Sequence, residues 1–109
     1  MGGTDPTGFD EALTRVFALL GKRWTGVIVG SLCGGPARFA EIARAVPGIT
    51  EGMLSARLRE LQDEGIVERE VIPGPPVATR YRLTERGRSL EPALLELARW
   101  AERSPDPAD

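Results

Sequence analysis

Histidine is absent from the 109-residue sequence, and cysteine occurs once, as Cys33. Without an imidazole the chain has no Ser-His-Asp triad, no Cys-His pair and no histidine-bound metal. A single cysteine forms neither an intramolecular disulfide nor a cysteine-rich zinc site. The sequence therefore predicts no metal site and no cofactor. Cys33 follows an apolar segment with no cation beside it, which favours a small core thiol over a reactive one.

Long apolar runs are missing too. Runs such as Val27-Ile28-Val29 are far short of a membrane span. The first residues, Met1 to Pro6, contain neither the basic region nor the apolar segment of a signal peptide. We therefore expect a soluble, cytoplasmic protein with no membrane partner.

Neither sign of charge dominates the sequence. Its 14 basic and 16 acidic side chains give a net charge of −2. This balance excludes the strongly basic profile of an unselective nucleic-acid coat but allows a locally basic face. The length fits one compact domain, which we assign to residues 9–103. Glycine, proline and small polar residues at 1–8 and 104–109 predict two flexible tails.

Apolar residues at helical spacing predict four helices in the first part of the chain. Leu13, Val16, Phe17 and Leu20 fall at i, i+3, i+4 and i+7. The segment after them is apolar around most of its circumference, which predicts a central, buried helix. Glycine and proline punctuate the helices, and the predicted ranges are 10–20, 23–32, 39–46 and 51–64, the last with Thr50 as its N-cap.

The apolar period changes from 3.6 to 2 after Gly65, which indicates β-structure. Two strands are predicted, at residues 66–72 and 80–83. The segment between them, 73–79, contains three prolines and is too long for a tight turn. It therefore predicts a projecting loop.

A last helix is predicted from the cap residue Thr84 to about Glu102, with Pro92 marking a kink or a break. The whole order predicts an α+β, mainly helical fold of the winged helix-turn-helix type. Residues 51–64 are its recognition helix and the two strands form its wing hairpin. The extra N- and C-terminal helices are left for dimerisation.

Six short motifs follow one another along the chain: Leu20-Gly21-Lys22-Arg23-Trp24, Gly35 to Ile42, Pro47 to Thr50, Met53 to Leu61, Gly65 to Arg69, and Tyr81 to Gly87. Each is weak by itself, but in this order, over residues 13–100, they resemble the HxlR-type transcriptional regulators. These form a winged-helix group within the wider MarR-like superfamily. The resemblance implies a homodimer that pairs through its first and last helices and binds an inverted-repeat operator.

Two departures from the family pattern stand out. Arg23 replaces the lysine that usually precedes the tryptophan, which keeps the charge. Many family members also carry a cysteine just before the first helix, and residues 1–12 contain none. A thiol switch of the family's redox-sensing kind is therefore not expected from this segment.

The recognition helix would present its N-terminal half to base edges. With its leucines inward, the opposite face carries small residues, which allow close approach to DNA, and Arg59, which can contact a guanine or a phosphate. The alternative is an ordinary solvated helix face. Arg57, to one side, fits an internal ion pair as well as a DNA contact. The predicted DNA contacts of this helix are Thr50, Glu51, Gly52, Ser55, Ala56 and Arg59.

Further basic residues are candidates for backbone contacts. Four arginines stand against one glutamate between residues 80 and 88. Phosphate or minor-groove contact is predicted for Thr79 and Arg80. Arg82 stays open between such a contact and a charged, solvated strand edge. Phosphate contacts at helix starts are predicted for Lys22, Arg23 and Arg38.

The first and last helices offer more apolar surface than a small domain needs to cover, which favours a dimer interface over simple core packing. A pocket there for an apolar or aromatic effector is a further possibility, since ligand pockets favour such places. The predicted interface residues are Leu13, Val16, Phe17, Leu94, Leu97 and Trp100.

These observations predict a sequence-specific DNA-binding regulator, a homodimeric repressor on a palindromic double-stranded operator. An enzyme is not predicted, because the glycine spacing of Gly21 to Gly26 lacks the Lys-Ser/Thr that a phosphate-binding loop requires. The alternative is a winged-helix protein-interaction module without DNA binding, favoured by the near-neutral charge. Weak salt dependence of any DNA binding would support it.

Overall fold

The computed structural model describes residues 6–104. In that range the chain forms six helices and one two-stranded antiparallel sheet, and this order confirms the winged helix-turn-helix prediction. None of these helices combines the length and apolar character needed to cross a membrane. The elements are α1 (Pro6–Leu20), α2 (Thr25–Leu32), α3 (Phe39–Ala45), α4 (Glu51–Asp63), β1 (Val67–Ile72), β2 (Ala78–Leu83), α5 (Glu85–Ser89) and α6 (Glu91–Arg103).

Helix α2 lies at the centre of the core, as its composition predicts. Ile28, Val29 and Leu32 are at most 2% exposed. They belong to one buried cluster with Ile42 of α3 and with the leucine stripe of α4. Burying a large aliphatic side chain contributes roughly 1.5–3 kcal/mol relative to leaving it exposed. This cluster therefore holds the helix-turn-helix pair, α3 and α4, against α2.

The wing hairpin is fastened to the rest of the domain at its base. Val67 of β1 pairs with Leu83 of β2, and both side chains are buried in the core. Ala37, just before α3, exchanges two backbone hydrogen bonds with Tyr81 of β2, at 2.9 and 2.7 Å. The hairpin is therefore connected both to the core and to the helix-turn-helix pair.

The wing loop is shorter than predicted. Strand β2 begins at Ala78 instead of residue 80, because the pairs Ile72–Ala78 and Val71–Thr79 continue the ladder. The connecting loop is therefore 73–77. Thr79, predicted as part of a projecting loop, lies within the sheet.

Two predicted helix starts are wrong. Helix α1 begins at Pro6, inside the segment 1–8 predicted as a tail, because the fixed φ and missing N–H of proline suit a first helical turn. Helix α2 begins at Thr25 instead of residue 23, because Trp24 has a left-handed φ of 83°. The remainder of the predicted tails, residues 1–5 and 105–109, lies outside the described residues.

The predicted last helix is two helices that meet at Leu90. Pro92 lies in the first turn of α6, where its missing N–H costs no intrahelical hydrogen bond, so the predicted break is confirmed. The Thr84 hydroxyl caps α5 by accepting the Gly87 N–H at 3.0 Å, and it donates to the Gly65 carbonyl at 2.5 Å. Thr84 thereby joins the start of α5 to the end of α4.

Gly87 lies where α5 touches the chain entering β1, and Gly87→Ala is expected to destabilise the fold. A Cβ there would lie 2.2 Å from the Ile66 carbonyl oxygen and 3.2 Å from Leu83 Cδ2. The free energy of unfolding should fall by about 1–3 kcal/mol, as in other overpacked sites. Urea unfolding followed by circular dichroism measures it.

The matched control is Gly30→Ala, in the interior of α2, where a Cβ would meet nothing within 4 Å. This change should leave stability unchanged or raise it by about 0.5–1 kcal/mol, since alanine favours a helix over glycine. Equal losses in both variants would contradict the close approach at Gly87.

Candidate nucleic-acid interface

Helix α4 is oriented by its buried leucines and begins at a side-chain cap. Leu54, Leu58 and Leu61 are buried in the core. The Thr50 hydroxyl accepts the Met53 N–H at 3.1 Å, which confirms the predicted N-cap. The opposite face of the helix consequently points away from the core, with its N-terminal turn capped and exposed.

The predicted contact residues of α4 share this exposed face. Glu51, Gly52, Ser55 and Arg59 are exposed, Thr50 is exposed at the cap, and Ala56 is half-buried. A Cβ built on Gly52 would meet nothing within 4 Å, so the first turn leaves open space for an approaching surface. The Thr50 hydroxyl accepts in the cap and keeps its own hydrogen to donate elsewhere. The structure thus places the six residues on one polar surface.

Arg57 and Arg59 have different surroundings although they are two residues apart. Arg57 Nε donates to the Arg23 carbonyl oxygen at 3.1 Å, and its Nη1 donates to Glu60 Oε1 at 3.1 Å. Only 17% of the Arg57 side chain is exposed. The Arg59 side chain is exposed and makes no hydrogen bond or ion pair within residues 6–104. Of the two uses weighed for Arg57, the structure shows the internal ion pair.

The turn between α1 and α2 contacts α4 through Glu60, the carboxylate that also pairs with Arg57. Lys22 Nζ lies 3.5 Å from Glu60 Oε1. The Arg23 guanidinium stacks 4.5 Å from the centre of the Trp24 ring. Lys22 and Arg23 both precede α2 in the chain. Each already has a partner within the protein, Glu60 for Lys22 and the Trp24 ring for Arg23. Sequence reasoning missed the contact between Lys22 and Glu60, because the two residues are almost forty positions apart in the chain.

The wing arginines are paired with glutamates that sequence reasoning missed. Arg80 Nε lies 2.6 Å from Glu70 Oε1, and Arg82 Nη2 lies 2.6 Å from Glu68 Oε1. We call these four side chains the wing ladder. The hydrogen bond from Arg80 lowers the pKa of the Glu70 carboxyl, and Glu68 raises the pKa of the Arg82 guanidinium. The available signal was the spacing of the charges: Glu68 and Glu70 are two residues apart on one strand, and Arg80 and Arg82 are two residues apart on the other.

The other two backbone candidates lie apart from the ladder. Thr79 is half-buried in β2 opposite Val71. Arg38 is exposed at the N-cap of α3, where its backbone N–H donates to Glu41 Oε1 at 2.7 Å. Arg38 and the polar face of α4 thus border the same helix-turn-helix unit, α3 and α4.

Helices α1 and α6 expose a large part of their apolar residues. Five of the six predicted interface residues are exposed, and Trp100 is 61% exposed. No residue of α6 is buried. Leu94 differs, because it is half-buried against the core cluster. Two exposed apolar residues were missed, Phe9 and Leu95. The exposed members of the predicted set are Leu13, Val16, Phe17, Leu97 and Trp100.

The single thiol has the surroundings of a structural side chain. Cys33 packs partly against the core, and its Sγ donates to the Val29 carbonyl oxygen at 3.5 Å. Burial raises the pKa of the Cys33 thiol, and the nearby carboxylate of Glu91 raises it further. These effects disfavour the reactive thiolate.

A cleft of about 670 Å³ lies between α1, the C-terminal part of α4 and α5. Its lining combines apolar side chains such as Leu19, Leu61 and Leu90 with charged side chains of both signs, Arg15, Lys22, Glu60, Asp63, Glu64 and Arg86. Its volume falls in the range of roughly 300–1,000 Å³ typical of small-molecule sites.

Comparison with known proteins gives a consistent result. The family of HxlR-like helix-turn-helix proteins matches residues 19–109. The chain is 46% identical over 97 residues to the HTH-type transcriptional regulator YodB of Bacillus subtilis (strain 168), covering 89% of this chain and 87% of that protein.

Solved structures agree. The reduced form of YodB from B. subtilis superimposes with a TM-score of 0.79 at 44% identity, covering 90% of this chain and 96% of that one. The redox regulator HypR in its oxidised form gives a TM-score of 0.81 at 39% identity, covering 87% and 98%.

The surroundings of the two α4 arginines predict different effects on stability. Arg57→Leu should lower the free energy of unfolding by about 1.5–3 kcal/mol, because it removes hydrogen bonds from a charged group and leaves the Arg23 carbonyl without its donor. Arg59→Leu should stay within about 0.5 kcal/mol of the wild type, as for most surface substitutions. Urea unfolding measures both. Comparable losses would show that Arg59 also has a structural role.

Proposed function

The chain belongs to the HxlR-like helix-turn-helix family of DNA-binding transcriptional regulators, and we propose that it is a homodimeric repressor acting on an inverted-repeat operator. The observation that carries the proposal is the exposed polar face of α4, with a capped first turn and with Arg59 unpaired within residues 6–104. A family of regulators is not an enzyme class, and the proposal includes no catalytic step.

In this proposal each α4 enters a major groove with its first two turns. Gly52, Ser55 and Ala56 let the helix approach the base edges closely, because their side chains are small. Arg59 reaches a guanine or a phosphate, and the Thr50 hydroxyl and the α4 N-terminus face the backbone. Glu51, on the same face, accepts a hydrogen bond from a cytosine amino group.

In the same proposal, other cationic side chains contact the DNA phosphates that flank the major groove. Arg38 lies at the N-cap of α3, and Arg80 extends the contact through the wing. Lys22 and Arg23 have internal partners in the unbound protein, so we assign them a secondary role. Phosphate contacts of this kind set the position of the protein on the duplex, whereas base contacts set the sequence.

Dimerisation is supported by the apolar faces of α1 and α6. Phe17 and Trp100 are more than half exposed, and aromatic side chains of this size dominate interface energetics. We propose that two copies pair through these faces. The two recognition helices would then reach half-sites about one helical turn apart, roughly 34–36 Å.

Release by a small molecule is the regulatory part of the proposal. The cleft between α1 and α4 joins a dimerisation helix to the recognition helix, so an occupant can bias both. Its apolar lining residues would contact an apolar or aromatic effector, and its charged lining residues would orient that effector. YodB has been solved in a quinone-bound form. Because residues 1–12 of this chain contain no cysteine, we propose a non-covalent effector instead of a thiol switch before α1.

The DNA proposal is tested by selecting an operator from random duplexes and titrating it by fluorescence anisotropy at two salt concentrations. Arg59→Ala should weaken specific binding by about 1–3 kcal/mol if the side chain reads a base. Binding should also weaken with salt, as expected when cations replace phosphate counterions. Unchanged affinity and preference would remove Arg59 from the reading surface. Selection of no duplex would instead favour a protein-interaction module.

The dimer proposal is tested by sedimentation of Trp100→Ala. The wild type is expected to sediment as a dimer, and the variant should dissociate more than tenfold more readily, since truncating a buried interface aromatic costs about 2 kcal/mol or more. Val77→Ala is the matched control, because Val77 is 66% exposed but lies in the wing loop. A monomeric wild type, or equal effects of the two changes, would contradict the assigned interface.

A further inference from the structure

The wing ladder is a closed set of opposite charges on the solvent-facing side of the hairpin. Glu70 lies directly across from Arg80, and Glu68 across from Arg82. Arg82 Nε also approaches Glu70 Oε2 at 3.6 Å, which links the two pairs. Val67 and Leu83 are buried on the other side of the same strands. The basic wing predicted from residues 80–88 is therefore neutralised at its two strand arginines.

Stability alone does not account for this arrangement. The four side chains are between 27% and 46% exposed, and exposed ion pairs contribute only about 0.2–1 kcal/mol each. The hydrogen bond from Arg80 keeps the pKa of the Glu70 carboxyl below its ordinary value. Glu70 therefore remains negatively charged at neutral pH. Each arginine keeps an acid beside it that a phosphate must displace.

This competition matters most for DNA of the wrong sequence. Non-specific affinity depends on how many phosphate charges a protein neutralises and how many counterions it releases. An arginine held by its own carboxylate adds little to that sum. Arg59 on α4, by contrast, has no acid partner within the described residues. Arg59 of the proposed recognition helix is therefore unpaired within the described residues, whereas the two strand arginines of the wing are paired with carboxylates.

We infer that Glu68 and Glu70 are specificity-determining residues, which hold Arg82 and Arg80 until correctly placed phosphates displace them. The inference rests on the proposed DNA contact of the wing. Once α4 has docked in its major groove, the flanking phosphates are held beside the wing, and the arginines exchange a carboxylate for a phosphate. On unrelated DNA no such placement occurs, and the ladder stays closed.

The experiment uses the full chain with Glu70→Gln and Glu68→Gln, titrated against the selected operator and an unrelated duplex. Glutamine keeps the shape but removes the negative charge. Each variant should bind the unrelated duplex about three- to tenfold more tightly at low salt, with a logarithmic salt slope steeper by about one. The ratio of operator to unrelated affinity should fall. Glu96→Gln is the matched control, since Glu96 pairs with Arg99 at 2.7 Å on α6.

The possible results separate this inference from the proposed function. Tighter unrelated binding with a lower ratio of operator to unrelated affinity, in the ladder variants but not in Glu96→Gln, supports the inference, and an unchanged ratio overturns it. Unchanged or weaker unrelated binding overturns it, as does an equal gain in Glu96→Gln, which would reflect net charge alone. If the wild type selects an operator but the ladder variants bind both duplexes as the wild type does, the inference fails and the proposed function stands. If the wild type selects no duplex, the proposed function fails and the inference falls with it.

Discussion

The buried cluster that α2 and α4 share is the interaction on which the rest of the molecule depends. Three leucines of α4 and three aliphatic side chains of α2 share one buried cluster. Removing a buried leucine side chain typically costs about 2–5 kcal/mol, a large part of the stability of a small domain. This contact fixes which face of α4 is polar and free. The wing is placed by the same cluster, because Val67 and Leu83 complete it.

Much of this fold can be read from the sequence, because burial produces a period. The spacing of Leu54, Leu58 and Leu61 predicted α4, and Pro92 predicted the break before α6. Trp24 could not be foreseen, since a left-handed residue at a helix start depends on tertiary contacts and not on local propensity. The wing ladder was missed for a related reason. Strand register decides whether Glu70 faces Arg80, and a linear pattern of charges does not reveal register. The assignment of DNA contacts stays a prediction, although the six candidate residues at α4 lie on one exposed face.

Relatives with the same architecture include proteins solved in reduced, oxidised and quinone-bound forms. This chain has their fold without a cysteine in its first twelve residues, and its one thiol is held against the core. Burial and Glu91 both raise the pKa of Cys33, so the thiolate is disfavoured at neutral pH. The fold of this chain, which depends on the buried cluster, is therefore formed with a single thiol that is disfavoured as a thiolate.

The contacts between the α1–α2 turn and α4 have a mechanical consequence. Arg57 holds the Arg23 carbonyl, Glu60 attracts Lys22, and Trp24 stands in a conformation that few other backbones adopt. The turn between α1 and α2 is consequently held against α4 by these contacts. In the proposed dimer, a rotation of α1 would be passed to α4 through these contacts, and the spacing between the two recognition helices would depend on how the α1 helices pair. A change in the α1 pairing surface would then alter the preferred half-site spacing of the proposed dimer without any change in the exposed face of α4.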